Sequence, residues 1–238
     1  MTTWGSTEAG DPAFDRSWTN KLQDINLVIT KSLTDDLIAK LIVHSDKCVL
    51  HLTVTGLAKS FMEPCVPSVQ ENAKQLKKLL EKGFPVEQAV LRIDPMLNAS
   101  LGCGALDEFK DTGVKRVRFS FLNLTNHTDN DISKERLGFY IEEARELVTY
   151  SEKMEYGYTF ESCAGAWLSV IPNVKLIGCM SFEEAKRVLK KDIRFIANDR
   201  ARSACMAPGN RVELLEGKTC RHKCKYCFWG GDCGRAQS

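Results

Sequence analysis

The chain has 238 residues, 43% of them hydrophobic and 27% charged, and Lys+Arg minus Asp+Glu is 33 − 31 = +2. That mix excludes a disordered chain, a collagen-like chain and a tiny disulfide scaffold, and the charge balance singles out neither a strongly basic nucleic-acid binder nor an acidic tail. No apolar run approaches the ~18 residues of a membrane span, and the opening Met1-Thr2-Thr3-Trp4-Gly5 lacks the basic and apolar regions of a signal peptide, so a cytoplasmic protein without a membrane partner is expected.

In chain order, a short strand is expected at residues 4–6 and a second at 26–30 (NLVIT). Thr34 caps a helix whose stripe is Leu37, Ile38, Leu41 and Ile42. Residues 48–55 are a β-rich run ended by Gly56. Ser68 and Glu71 form a capping-box pattern, followed by Leu76, Leu79 and Leu80 on one face and Gly83 as a stop. Residues 89–94 read as a strand stopped by Pro95, and residues 116–122 alternate with period two. A long helix follows, with Ile132, Leu137, Ile141, Ala144 and Val148 inward. Strands are expected at 158–161 and 174–177, then a helix opened by Ser181 with Glu184 and bearing Ala185, Val188 and Leu189. Residues 198–210 read as a polar loop and 211–215 as the last strand.

Repeated strand–helix alternation predicts parallel strands with helices outside. Roughly seven or eight strands favour a (β/α) barrel, TIM-like, full or partial, over an open doubly wound sheet. There is no GxGxxG after a strand and no GxxxxGK[ST]. One barrel domain, residues 1–217, is expected to carry a cysteine-rich segment, 218–238, packed on the same barrel.

In such barrels function sits at the C-terminal ends of the strands. The polar residues there are Thr53 and Thr55, Arg92 and Asp94, Ser120 and Asn123, and Glu161 and Cys163. An Arg and an Asp at an inner strand end are costly unless paired or bound to ligand, so a structural Arg92–Asp94 pair is the alternative to a catalytic one. Cys163 would return a hydrogen atom to a substrate radical or join Cys205 and Cys233 on a second cluster; the alternative is a small buried hydrophobe, as for Cys48 and Cys179 in their apolar runs.

The ten cysteines are many for a reducing compartment, where clustered thiols point to metal ligands or catalytic groups rather than disulfides. The densest signal is Cys220-Arg221-His222-Lys223-Cys224-Lys225-Tyr226-Cys227. Three thiols at CxxxCxxC spacing can hold three irons of a [4Fe–4S] cluster and leave the fourth open. A zinc site completed by Cys233 or His222 is the alternative, although no second CxxC pair exists.

CxxxCxxC with an aromatic before its third cysteine resembles the cluster motif of radical S-adenosylmethionine (radical SAM) enzymes. That resemblance implies SAM on the open iron, reductive cleavage to a 5′-deoxyadenosyl radical, hydrogen abstraction from substrate, Tyr226 near the adenine, and an electron donor such as flavodoxin or ferredoxin. Radical SAM enzymes carry this loop after the first strand, whereas here it follows the last, a circularly permuted arrangement. First and last strands of a closed barrel are neighbours, so both loops reach the same place.

The whole chain resembles a bacterial and phage domain family of unknown function with a C-terminal cysteine cluster of this kind. The resemblance rests on Gly10-Asp11-Pro12-Ala13-Phe14 with Trp18, on residues 51–56 with Glu63-Pro64-Cys65-Val66-Pro67-Ser68, on 90–95 (VLRIDP), 119–124 (FSFLNL), 161–164 (ESCA) and 220–228. It differs in lacking two arginines of that family's opening and in reducing its C-G-C to Cys205. It implies a barrel and a cluster but no substrate, which a small molecule or a modified nucleobase would satisfy.

The basic Lys218, Arg221, Lys223, Lys225 and Arg235 balance a thiolate cluster, meet a phosphate-bearing substrate, or form a solvated surface. Tyr226, Phe228 and Trp229 stack on a base or line the SAM pocket. Two other functions stay open: a structural zinc protein that binds nucleic acid, and an Fe–S electron carrier or sensor without SAM chemistry.

Overall fold

The computed structural model describes residues 1–121, 134–163, 166–190, 193–195, 207–217 and 219–227. Eight strands form a single parallel sheet in the order β7-β6-β5-β4-β3-β2-β1-β8. They are β1 (Trp4–Ser6), β2 (Ile25–Thr30), β3 (Cys48–Thr53), β4 (Ala89–Met96), β5 (Arg116–Phe121), β6 (Thr159–Ser162), β7 (Val174–Leu176) and β8 (Arg211–Glu213). The last strand lies beside the first, at one edge of the sheet. Among the described residues no β7–β8 ladder closes it. No described helix is long and apolar enough to cross a membrane.

The helices are α1 (Asp35–Val43), α2 (Val69–Glu81), α3 (Ala99–Phe109), α4 (Lys134–Lys153) and α5 (Phe182–Leu189). Local chemistry starts three of them where the sequence predicts. Thr34 accepts from the Leu37 amide, Ser68 and Glu71 close a full capping box, and Ser181 accepts from the Glu184 amide. The outer core packs Leu37, Ile38 and Leu41 of α1, Leu76 and Leu79 of α2, Leu106 and Phe109 of α3, and Tyr140, Ala144 and Leu147 of α4. These meet Val28, Leu50, Leu52, Leu91, Ile93, Val117 and Phe119 from the sheet.

Helix α5 departs from the expectation that every helix lies outside. Its Ala185 and Val188 pack with Trp4, Ile25, Leu27, Val49 and Val90, a separate cluster on the opposite face of the sheet. Successive side chains of a strand point to opposite faces, so this inner face also carries His51, Arg92, Asp94, Arg118, Ser120 and Glu161. That explains why β5 is buried on both faces although its sequence alternates.

Other boundaries shift. Strand β3 ends at Thr53, short of Thr55, and β4 runs through Pro95 to Met96 with a register shift between Ile93 and Met96. Helix α3 is absent from the sequence reading. A Cβ at Gly102 would stand 3.0 Å from Leu147 Cδ1, so glycine serves the close approach of α3 to α4. In α4, Ala144 and Val148 are buried as expected, joined by Tyr140 and Leu147, while Ile141 is partly buried and Ile132 lies outside the described residues.

Candidate functional site

The floor of the inner face is an ion network. Arg116 donates to both Glu161 oxygens, at 3.2 and 3.1 Å, and to Glu184 Oε1 at 3.0 Å. Arg118 donates to Glu161 Oε2 at 2.5 Å and Glu184 Oε2 at 3.3 Å. His51 Nε2 lies 3.6 Å from Glu184 Oε1. Burial opposes ionisation of both carboxyls, but His51 and the two arginines outweigh it at Glu184, and the two arginines do so at Glu161, so both sit below the usual carboxylate range. Glu161, a candidate catalytic residue from its strand-end position, is therefore engaged by two arginines at this floor. Glu184 does not reach back to its helix cap as the capping-box pattern suggests, because the guanidiniums draw its carboxylate inward.

Toward the C-terminal strand ends, Arg92 Nε donates to Asp94 Oδ2 at 2.8 Å and Nη2 donates to the same oxygen. Burial works against the Asp94 carboxylate, yet the Arg92 charge and a hydrogen bond from Ser120 keep its pKa low. Arg92 Nη1 is buried without a hydrogen-bond partner among the described residues. Cys163 Sγ lies 3.8 Å from Cys179 Sγ beside this pair. Cys179, expected to be a core cysteine, is half-buried and faces Arg92, Arg118 and Asp94.

Nearer the strand ends, Lys31 Nζ bonds Glu63 Oε1 at 2.6 Å and donates to the Tyr226 hydroxyl at 2.9 Å. Tyr226 itself donates to Glu63 Oε1, and Thr55 Oγ1 donates to Glu63 Oε2 at 2.6 Å. Burial disfavours the Glu63 carboxylate, but Lys31, Thr55 and Tyr226 together hold its pKa below the ordinary value. Burial and the adjacent Glu63 charge both raise the Tyr226 phenol. Thr53, the last residue of β3, is buried two residues before Thr55.

The cysteine turn is docked onto these strand ends by residues from the first part of the chain. His222 is buried, its Nε2 2.8 Å from Asp11 Oδ2 and its ring edge-on to Phe14 at 5.0 Å. Asp11 also accepts from Thr30 Oγ1 (2.7 Å) and the amides of Ala13 and Lys31 (2.9 Å each). Cys65 N donates to His222 O at 3.3 Å and Lys225 N to Met62 O at 3.0 Å. The segments after β1 and β8 run together: Ala9 N donates to Glu213 Oε2 (3.1 Å), Asp11 N to Thr219 O (2.9 Å), and Glu216 N to Ser17 Oγ (2.8 Å).

Within the turn, Cys227 N donates to Cys224 O at 3.2 Å. Cys224 is buried, Cys220 and Cys227 are half-buried, and none of the three is in a disulfide. Burial pushes the Cys224 thiol up to about 11, with Lys31 working the other way. Among the described residues, no three His, Cys, Asp or Glu side chains converge closely enough to hold a metal ion. The donor chemistry nonetheless fits a soft, thiolate-bound group, and His222, turned to Asp11, is not available as a fourth ligand.

The structure thus brings together Tyr226 with Thr55, and Arg92 with Asp94, Ser120 and Cys163. Asn123, Cys205, Lys218, Phe228, Trp229, Cys233 and Arg235 lie outside the described residues. Sequence reasoning passes over Asp11, Lys31, Glu63 and Cys179 as site residues, and takes His222 only as a zinc ligand. Asp11, Glu63 and His222 stand in the segments that carry the family resemblance, and Lys31 directly follows β2; those were the available signals.

A family model described as a domain of unknown function (DUF1848) matches residues 19–229. No curated protein matches the chain. Among solved structures the chain is similar to 2,3-dimethylmalate lyase, a PEP mutase/isocitrate lyase superfamily member, at 14% identity and a TM-score of 0.41, over 77% of this chain. The chain spans 66% of that enzyme's length.

Proposed function

We propose that this chain, which belongs to the DUF1848 family of domains of unknown function, is a radical SAM enzyme built on a wrapped, TIM-like β/α barrel with its cysteine segment permuted to the end. The observation that carries the reading is the docking of the CxxxCxxC turn against the C-terminal strand ends, beside a polar inner face. Cys220, Cys224 and Cys227 would hold a [4Fe–4S] cluster. With SAM on its open iron, that cluster supplies one-electron cleavage of SAM and hydrogen-atom abstraction.

The chain's own residues position and shield. Asp11 and His222 hold the turn in place, and the Lys31–Glu63–Tyr226–Thr55 network sets the charge beside it. Arg92 Nη1 offers a donor to an anionic or carbonyl group of the substrate, while Asp94, itself hydrogen-bonded by Ser120, fixes the guanidinium. Glu161 supports that layer from below through Arg118. A small molecule or nucleobase is the substrate class, a flavodoxin or ferredoxin the electron donor, and a reducing cytoplasm the compartment.

The test is anaerobic purification with metal analysis, a visible spectrum, and assay of 5′-deoxyadenosine after dithionite and SAM are added. About four irons per chain, bleaching on reduction, and product lost in Cys224→Ala support the reading. A colourless protein with about one zinc per chain and no 5′-deoxyadenosine refutes it. An iron cluster that bleaches without consuming SAM refutes it in favour of an electron carrier.

A further inference from the structure

Cys163 follows β6 and Cys179 precedes α5, and neither lies within a helix or strand. Their sulfurs are 3.8 Å apart, already in contact. A disulfide needs about 2.0 Å between sulfurs, so the two sulfurs have to draw closer, and both residues stand outside the regular elements. Arg118 Nη1 donates to the Cys179 carbonyl at 2.7 Å, which holds that residue beside the guanidiniums. Buried cysteines elsewhere in the fold are inert by surroundings: burial pushes the Cys103 thiol up to about 11.

The pair differs in environment. The hydrogen bond with Cys163 comes first and outweighs burial, and the charges of Arg92 and Arg118 add to it against Asp94, so the Cys179 thiol is lowered. Cys163 moves the opposite way, raised by the same hydrogen bond and by the Cys179 charge. One sulfur is thus set to attack and the other to resolve, the division of labour of a reactive dithiol.

We propose that Cys163 and Cys179 form a redox-active dithiol on the inner face, which exchanges with a disulfide-bonded small molecule. The Cys179 thiolate attacks one sulfur of the small disulfide; a mixed disulfide forms and a thiolate leaves. Cys163 gives its proton to that thiolate, its sulfur attacks Cys179 Sγ, and the second small thiolate departs. The protein loses two electrons and becomes an intramolecular disulfide, and the small disulfide gains them as one thiol and one thiolate. No metal and no SAM enter these steps, so the proposal stands apart from the cluster reading.

The intact chain is equilibrated anaerobically with reduced and oxidised glutathione in varied ratio, quenched with acid, alkylated and mapped by mass spectrometry. The expected result is a peptide joining Cys163 to Cys179, reversed by dithiothreitol. In Cys163→Ser, glutathione stays attached to Cys179; in Cys179→Ser, position 163 takes up none. Both thiols remaining alkylatable at every ratio, or either joining another cysteine instead, overturns the proposal. Wild-type labelling removes dependence on the variants folding. At pH 7 Cys179 is expected to react with iodoacetamide at least about tenfold faster than Cys103, and equal rates overturn the assignment of Cys179 as nucleophile.

Discussion

Replacing Glu184 by Gln removes one charge from a network that is neutral as it stands, with Arg116 and Arg118 against Glu161 and Glu184. Glu184 is 1% exposed and Arg118 2%, so water does not make up the difference. Breaking a buried pair by removing one partner costs about 3–5 kcal/mol. Gln keeps the volume of Glu, so no cavity opens and the lower end applies, about 3 kcal/mol. Ser181 caps α5 through the Glu184 backbone amide, which the substitution leaves intact, so the loss reports the side chain alone. In a chain of this size each kcal/mol moves the midpoint by roughly 2–4 °C, giving a fall of roughly 6–12 °C. Thermal and urea unfolding followed by circular dichroism measure it. Adding Arg116→Gln restores neutrality and is expected to recover part of the loss, a non-additivity that a double-mutant cycle reads directly. A loss below about 0.5 kcal/mol in Glu184→Gln would show that Glu161 alone satisfies both arginines and would refute the charge argument.

Stability should also depend on pH through His51, which burial drives from 6.5 down to about 4. Between those values the unfolded chain binds a proton that the folded chain refuses, so stability falls as pH drops through this window, by up to about 1.4 kcal/mol per unit. His51→Gln should flatten that part of a urea-midpoint profile; an unchanged slope would remove His51 as its source. Glu161 and Glu184, lowered in the fold, contribute stability present above the ordinary carboxylate value and lost below it. Asp11→Asn sets an amide donor against the amides, hydroxyl and imidazole that now meet a carboxylate, at a cost of about 1–3 kcal/mol. The cysteine turn should loosen, so Cys224 should be alkylated faster than in the wild type; equal protection would show that the turn is held by its backbone contacts alone.

The outer layer was legible because local chemistry and tertiary packing agree there. Thr34 and Ser68 cap the helices their sequences announce, and the apolar stripes behind them face the sheet. Helix α3 was not, since Gly102 and Gly104 interrupt the pattern and the reason for Gly102 is a neighbour, Leu147, far along the chain. Ser181 announced α5 correctly, but its Glu184 reads locally as a capping residue and is instead captured by guanidiniums on the inner face. Strand-end reasoning named Arg92, Asp94, Ser120 and Cys163, which the structure brings together. It missed Lys31 and Glu63 because their meaning lies in Tyr226, a partner 195 residues from Lys31 and 163 from Glu63. No period encodes such pairs.

Those long-range pairs share one cause. Strand β8 lies beside β1, so the segments that leave the two strands emerge side by side and bond to each other from Ala9 to Thr219. A Cβ at Gly217 would stand 3.1 Å from Asp15 Oδ2, so glycine there admits the approach. The cysteine turn is then delivered to the ends of β2 and β3, where Asp11, Met62, Glu63 and Cys65 receive it. The turn comes late in the chain, yet among the described residues the hydrogen bonds that dock it come from the first third. Where a loop sits in such a sheet is decided by which strands are neighbours, and position along the chain matters only through that adjacency.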